Sequence, residues 1–482
     1  MITSAYRSTI LFFLLSGFFI LILSLSFFTE NYFLTVIPFG LLLFYAGWKN
    51  REFVFFLLLF VLPLSFEYNF STPLATDIPD EPLMLFVGGL AIAYWIYFPA
   101  AITKKILLHP LFLLLILLLG WILLTVVFST HFLVSLKFLL AKSWYITAFV
   151  LAPLILFRHK RSIAIAAISV AASMMIVIII TLIRHKEHGF SFATINDALY
   201  PFFRNHVNYA AMLVCIIPLL VAFFKQSNTG NKKILVGFSM LVAFVALFFS
   251  YSRGAWLALL VGLCAYWLIQ KKWMVYSYII ALVVTGIALF WLKKEDRYLR
   301  YAPDFKTTIF HKDFSEHLVA TYKLKDVSTG ERFYRWIAGV RMIKDNWLTG
   351  YGPNTFYNNY KGYAVPAFKT WVSDNKDHST VHNYFLLTAI EQGIPGLLFL
   401  LILFGAMLYY AQYLYHRVKD PFYKIVALTT GVITTMVIVL NFLSDLIETD
   451  KIGSIFFLCL STLVVTDINT RPAKSFTQSD PG

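Results

Sequence analysis

Apolar runs close to twenty residues long recur along most of this 482-residue chain, and that repetition constrains the fold more than any motif does. A run of that length crosses the hydrocarbon core of a bilayer as a helix. In lipid every backbone N–H and C=O must be bonded within its own segment, which leaves helices as the spanning element. Reading between charges gives about fourteen runs of near-spanning length. They centre on Phe19, Leu41, Leu59, Ala91, Ile116, Phe149, Ser173, Ile216, Val242, Leu260, Ala281, Ile402, Ile433 and Phe457. Phe53 to Phe66 and Gly453 to Thr466 are short, so roughly twelve spans plus two half-helices is the alternative count. Composition agrees, with 59% hydrophobic, 13% charged and 18% aromatic residues. The expected fold class is all-α, a polytopic membrane helical bundle of about 12–14 transmembrane helices. The first run, Ile10 to Phe28, follows a single Arg7 and has no small-residue cleavage site, so it reads as a retained span.

Charge placement sets an orientation. With the amino terminus in the cytoplasm, the inner connections hold Lys49 and Arg51, Lys104 and Lys105, and Arg158, Lys160 and Arg161. They continue with Lys225, Lys232 and Lys233, then Lys271 and Lys272, then Arg417, Lys419 and Lys424, and the tail adds Arg471 and Lys474. The outer connections hold Glu30, then Glu67, Asp77, Asp80 and Glu81, then Asp445, Glu448 and Asp450. That is the bias of a multi-pass membrane protein with both termini in the cytoplasm. It also accounts for the formal charge of +15 without nucleic acid. Arg184 with Lys186 is the one short connection that breaks the pattern.

This register divides the chain into membrane helices over 1–292, a large polar outer loop over 293–381, C-terminal spans over 382–466, and a disordered cytoplasmic tail over 467–482. The loop is basic and aromatic, and it stands where water-side chemistry can be assembled away from ATP. A membrane protein that keeps cationic residues on its outer side calls for an anionic ligand. Cys215, Cys264 and Cys459 lie in apolar runs with no CxxC spacing and read as small buried hydrophobes. No Walker loop, GxSxG elbow or HExxH stands in the sequence.

Three basic clusters fall on the outer side. Arg253 opens the run Ala255 to Gln270, where Ser250 or Ser252 can cap a helix whose free N–H groups add partial positive charge, a setting for phosphate. A snorkelling arginine is the plainer alternative. Arg332, Arg335 and Trp336 share one face of a helix expected to run to about Lys344; guanidinium forks grip phosphate and aromatic rings stack on sugars. An amphipathic surface helix with a Glu331–Arg335 pair is the alternative there. Arg204, His206 and Asn208 precede the Tyr209–Phe224 span, Arg204 as a further anion contact. His382 stands at the water boundary of a helix over Asn383 to Ile390, which Gly393, Pro395 and Gly396 break before the next span. A neutral imidazole there can take a proton from a hydroxyl near pH 7, or can simply cap the helix. Asp374, His378 and His382 recur at four-residue spacing, but the residues between them read as a loop, so no metal site is expected.

Together the segments resemble the bacterial O-antigen ligase/polymerase superfamily of membrane glycosyltransferases. The residues that carry the likeness are Asn205-His206-Val207-Asn208-Tyr209-Ala210-Ala211, Ser250-Tyr251-Ser252-Arg253-Gly254-Ala255-Trp256 and Arg332 with Trp336. They continue in Gly350-Tyr351-Gly352-Pro353-Asn354-Thr355-Phe356, His382-Asn383-Tyr384-Phe385-Leu386 and Glu391-Gln392-Gly393. The likeness covers Phe203 to Ile402; the N-terminal spans match in hydropathy alone. It implies a helical enzyme with a large periplasmic loop that moves a glycan from an undecaprenyl-pyrophosphate donor to an acceptor hydroxyl. No cofactor, nucleotide sugar or metal is implied, and direct displacement would invert the anomeric centre. Carried over, Arg253 and Arg332 bind the pyrophosphate leaving group and His382 is the catalytic base. Arg204, Arg335, Trp336 and Asn383 are the expected substrate contacts. The implied partners are the lipid-linked glycan, membrane lipids and an acceptor, lipid A–core for a ligase. An O-antigen or exopolysaccharide polymerase and an enzyme glycosylating exported proteins share this chemistry. A polytopic transporter stays open on span count, and would show buried intramembrane charge pairs; Lys142 is the main mid-span charge. An added polar stretch from Thr307 to Asp326 sets this loop apart from an average member.

Overall fold

The computed structural model describes residues 4–30, 34, 36–71, 74–295, 297, 327–364 and 380–471. The chain divides into two compact units, Met1–Leu58 and Leu59–Gly482. The first holds α1 (Ser4–Phe28), α2 (Val36–Lys49) and the opening turns of α3 (Arg51–Val61).

The second unit is built almost wholly of helices, because its apolar runs are long and continuous. They are α4 (Asp80–Tyr97), α5 (Pro110–Val127), α6 (Phe132–Leu156), α7 (Lys160–Glu187), α8 (His206–Gln226) and α9 (Gly230–Phe249). There follow α10 (Arg253–Gln270), α11 (Met274–Lys293), α12 (Val327–Asp345), α13 (Tyr384–Arg417), α14 (Pro421–Leu440) and α15 (Asp450–Asn469). Among the described residues ten helices are long and apolar enough to cross a membrane: α5 to α11 and α13 to α15. The protein is an all-α, multi-pass membrane protein. All the expected runs fall on helices, but α3 has only eleven residues and α4 opens on Asp80 and Glu81, which limits the count.

Burial is graded across the bundle. Of its apolar window α15 hides 83% and α11 none, so α15 lies at the centre, while α11 lies at the periphery and meets α13 along one side, its Tyr278 hydroxyl donating to Leu401 O at 2.9 Å. The core packs α10 against α14, α13 against α14 and α5, and α15 against the π-helical turn Thr147–Leu151 inside α6. Two proline-terminated starts, Pro110 and Pro421, are capped by His109 and Asp420, whose side chains accept from the N–H two residues on.

Several expectations need correction. The segment after α3 is not a plain acidic connection: β1 (Phe66–Ser71) and β2 (Leu74–Ile78) form an antiparallel hairpin with Glu67 opposite Asp77. Phe66, Tyr68 and Phe70 alternate with polar residues there, which is a strand period. Asp467 does not open a disordered tail. It continues α15, is buried, and its carboxylate meets His109 Nε2 at 3.3 Å and Arg417 Nη1 at 2.5 Å. Arg184 is engaged by its own connection, donating to the carbonyl of Tyr200 and lying 5.9 Å from the centre of the Phe202 ring. Lys142 does not snorkel; its ammonium bonds Glu448 Oε2 at 2.8 Å with both side chains largely buried. Thr307 to Asp326, with Asp374 and His378, lies outside the described residues.

The bundle has two unlike ends. At one, Asn469 Nδ2 donates to Phe157 O at 3.0 Å, His416 Nε2 meets Ile269 O at 2.8 Å and Lys160 pairs with Asp420. The basic connections Arg158–Arg161, Lys271–Lys272 and Arg417–Lys424 therefore share that end. The other end gathers the α5–α6, α9–α10 and α14–α15 connections, α12, and the start of α13.

Candidate active site

The site is organised by the three residues that lead into α13. Asn383 caps that helix, its side chain accepting from Leu386 N at 3.0 Å. The next N–H, of Tyr384, donates to Asn441 O at 2.9 Å and Ser444 O at 3.0 Å, which ties the helix start to the α14–α15 connection. That connection carries Asp445. Its Oδ2 accepts from the Thr380 hydroxyl at 2.7 Å, and its Oδ1 lies 3.9 Å from His382 Nδ1. The second distance is too long for a hydrogen bond and becomes a charge pair only when the ring is protonated. Facing Nδ1 towards Asp445 leaves Nε2 on the far side of the ring, and the side chain is 34% exposed. His382 itself holds a left-handed backbone, φ 51°. Burial, then the nearby Arg332 and Arg335 guanidiniums, lower its imidazole to about 3, so the free site holds it neutral. Burial raises the Asp445 carboxyl, and the Thr380 hydrogen bond opposes that rise.

Helix α12 supplies the cations. Arg335 is 3% exposed, and its Nη1 donates to Thr380 O at 2.6 Å. Trp336 Nε1 donates to Val381 O at 3.1 Å. The two carbonyls immediately before His382 are thus gripped by adjacent residues of one helix. Arg332 sits one turn earlier on that face, half-buried.

The other end of α12 is pinned to α13 as well. Tyr351 N and Gly352 N donate to Ile390 O and Glu391 O at 3.0 and 2.9 Å. The Glu391 carboxylate accepts from Asn354 N at 2.8 Å and Phe356 N at 3.0 Å. Two glycines permit this approach. A Cβ on Gly350 would fall 2.4 Å from the Glu391 carbonyl carbon, and one on Gly393, where φ is 71°, 2.1 Å from Leu348 O. The Gly/Pro turn is therefore a clamp against α13, and the break at Gly393 is what admits it.

Arg253 opens α10 at the same end. The turn before it holds Tyr251 at φ 56°, with the Tyr251 hydroxyl donating to Phe190 O. Neither serine caps α10: the Ser250 hydroxyl donates to Leu247 O at 2.7 Å, and Ser252 is the N-cap residue without a side-chain bond. Trp256 Nε1 also donates to Leu247 O, at 3.0 Å. A Cβ on Gly254 would lie 3.5 Å from Leu443 Cδ1, so the residue after Arg253 abuts the connection that carries Asp445.

These residues fall in the part of the chain that known proteins share. Residues 238–401 match the Wzy_C family, described as O-antigen ligase. Over that stretch the chain is similar to the O-antigen ligase superfamily. An O-antigen ligase of Salmonella typhimurium (strain LT2) is 25% identical over 218 residues, 44% of this chain and 49% of that protein. The chain thus spans about half the length of that relative. The matched stretch includes Arg253, Arg332, Arg335, Trp336, His382 and Asn383, and leaves out Arg204 and Asp445.

The expected site residues are not all gathered. Arg204 is spent on Glu67, 2.7 Å away on the β1–β2 hairpin. Arg335, Trp336 and Asn383 direct their polar groups to the chain's own backbone. Among the described residues no group of three or more His, Cys, Asp or Glu side chains could hold a metal ion. Sequence reasoning missed three residues. Asp445 looked like one more acid in an outer connection, Thr380 like part of a loop, and Glu391 was noted only as part of a short motif. A charged residue inside the apolar stretch that opens α13 was the one available signal for Glu391.

Proposed function

We propose that this protein transfers a glycan from an undecaprenyl-pyrophosphate donor to an acceptor hydroxyl at the His382 end of the bundle, as an O-antigen ligase acting on lipid A–core. The carrying observation is a part-exposed imidazole with a carboxylate on its Nδ1 side and Arg332 bearing on it, at a membrane-helix terminus. The likeness of residues 238–401 to the O-antigen ligase family supports the same reading.

The chemistry follows from these groups. His382 Nε2 takes the proton of the acceptor hydroxyl while that oxygen attacks the anomeric carbon. The bond from that carbon to the pyrophosphate oxygen breaks, and its electron pair leaves with the pyrophosphate. Arg332 and Arg253 stabilise the departing charge, supplying compensation that a metal ion supplies elsewhere. Asp445 stabilises the imidazolium that forms. Direct displacement on one carbon inverts its configuration. Donor binding also activates the base. The guanidiniums that depress His382 are offset once a pyrophosphate adds negative charge, so the imidazole gains basicity only with a donor in place.

The test is a lipopolysaccharide gel from a strain lacking this gene, complemented with wild type or His382→Ala, alongside analysis of its undecaprenyl-linked glycans. Loss of the ladder with polymer accumulating on the carrier, unrescued by His382→Ala, is the expected result. A single repeat capping the core would instead make the protein a polymerase, and an unchanged pattern would remove this acceptor.

A further inference from the structure

Thr380 joins three of the contacts around the candidate base. Its hydroxyl donates to Asp445 Oδ2 at 2.7 Å and accepts from His382 N at 3.2 Å. Its carbonyl accepts from Arg335 Nη1 at 2.6 Å. A hydroxyl has one proton to give and lone pairs to receive, so the donor bond to Asp445 and the acceptor bond from His382 are made together. One residue therefore joins α12, the α14–α15 connection and the start of α13.

The groups around it are unequal. Asp445 is also faced by His382 and Arg335, and by Glu448 of its own connection, whose charge opposes ionisation of a second carboxyl. His382 is faced by Arg332, Arg335 and Asp445. A buried carboxylate keeps its charge and its place only while hydrogen-bond donors reach it. With Oδ2 held by Thr380, Oδ1 is left to face Nδ1 of the imidazole. The N–H bond from His382 to the same hydroxyl fixes the left-handed backbone at that residue.

We propose that Thr380 is a positioning residue of the transfer reaction, holding Asp445 against the Nδ1 side of His382 so that Nε2 faces the acceptor hydroxyl. The inference rests on reading His382 as the base. Thr380 touches no reacting atom; it acts through Asp445 and through the backbone of His382.

The experiment measures initial rates of the full-length protein in detergent, with donor lipid and lipid A–core extracted from the host membrane. It compares wild type, Thr380→Ser, Thr380→Val, Thr380→Ala and His382→Ala, with thermal unfolding of each. Thr380→Val keeps the shape and removes the hydroxyl, so kcat falls roughly 10- to 100-fold while the donor KM stays within about 3-fold. Thr380→Ser restores both hydrogen bonds and stays within about 3-fold of wild type. Thr380→Ala carries the comparison should the valine variant fail to accumulate. Wild-type kcat in Thr380→Val beside an inactive His382→Ala overturns this inference and leaves the base in place. Equal losses in the valine and serine variants also overturn it, since the hydroxyl is then not what matters. An active His382→Ala overturns the reading beneath it, and this inference with it.

Discussion

The guanidinium of Arg335 reaches across 45 residues of sequence to bond the carbonyl of Thr380 at 2.6 Å. The charges of Arg335 and of Arg332, one turn away on the same helix face, both bear on His382. Arg335 thus has a second task, holding the loop that leads to the histidine.

That second task separates two variants. Arg335→Ala strips a charged donor from a part-buried carbonyl and should lower stability by about 2 kcal/mol, seen as a lower unfolding temperature in detergent. Glycan transfer falls with it, because the residues before His382 lose their grip. Arg332→Ala, compared at matched amounts of folded protein, should lose roughly 100-fold in transfer, the scale expected when one stabilising charge is removed from a reacting centre. Transfer at the wild-type rate in Arg332→Ala would remove that residue from the site.

The protonation of His382 gives a second expectation. Burial, Arg332 and Arg335 hold the imidazole near 3 in the free protein, below the usual value for histidine. The sign is that of a group whose charged form is disfavoured: the ring stays neutral down to about pH 4. Carbon-13 labelling of histidine, assigned by His382→Gln, should show no titration of this ring between pH 8 and 5. Added inorganic pyrophosphate should move its midpoint upward by at least about one unit, since an anion beside the guanidiniums offsets them. A ring that titrates near 6.5 in the free protein would mean that neither burial nor the arginines hold it down.

Much of the helical framework was legible because length and continuity of apolar runs are local properties. The break at Gly393 and Pro395 was legible too, as was the extent of α12 around Arg332 and Arg335. What the pattern hid was partnership across the chain. Asp445 lies in a connection of ordinary outer composition, and nothing near it in sequence marks the histidine it faces. Glu391 satisfies a turn 35 residues earlier, and Arg204 looks like an anion contact until the hairpin brings Glu67 beside it. Such pairings are fixed by packing of distant helices, and hydropathy carries no record of them.

Gly393 tests the clamp between α12 and α13. Its φ of 71° disfavours any side chain, and an added Cβ would fall 2.1 Å from Leu348 O, a backbone atom that cannot step aside alone. Gly393→Ala should cost at least about 3 kcal/mol, enough to deplete the folded protein from the membrane. Gly89→Ala, in the middle of α4 where an added Cβ meets nothing within 4 Å, should leave it at wild-type abundance. Quantitative blotting of membrane fractions reads both. Wild-type abundance of Gly393→Ala would show that the turn and α13 separate without loss.

The buried pair of Lys142 and Glu448 distinguishes an anchor from a moving charge. Its ammonium and carboxylate meet at 2.8 Å with side-chain exposures of 8% and 20%, and Glu448 belongs to the connection that carries Asp445. Removing one member of such a pair leaves an uncompensated charge in a low-dielectric setting and costs about 3–5 kcal/mol, whereas removing both can be nearly neutral. Lys142→Met should therefore destabilise strongly, and Lys142→Met with Glu448→Gln should recover most of the loss in detergent unfolding. If the pair serves only to anchor the connection, the double variant also regains transfer activity, with Asp445 again held in register. If instead the pair carries a proton or a solute in a transport cycle, stability returns without function. Comparing the two readouts on the same preparation decides between an enzyme held together by this pair and a transporter that uses it.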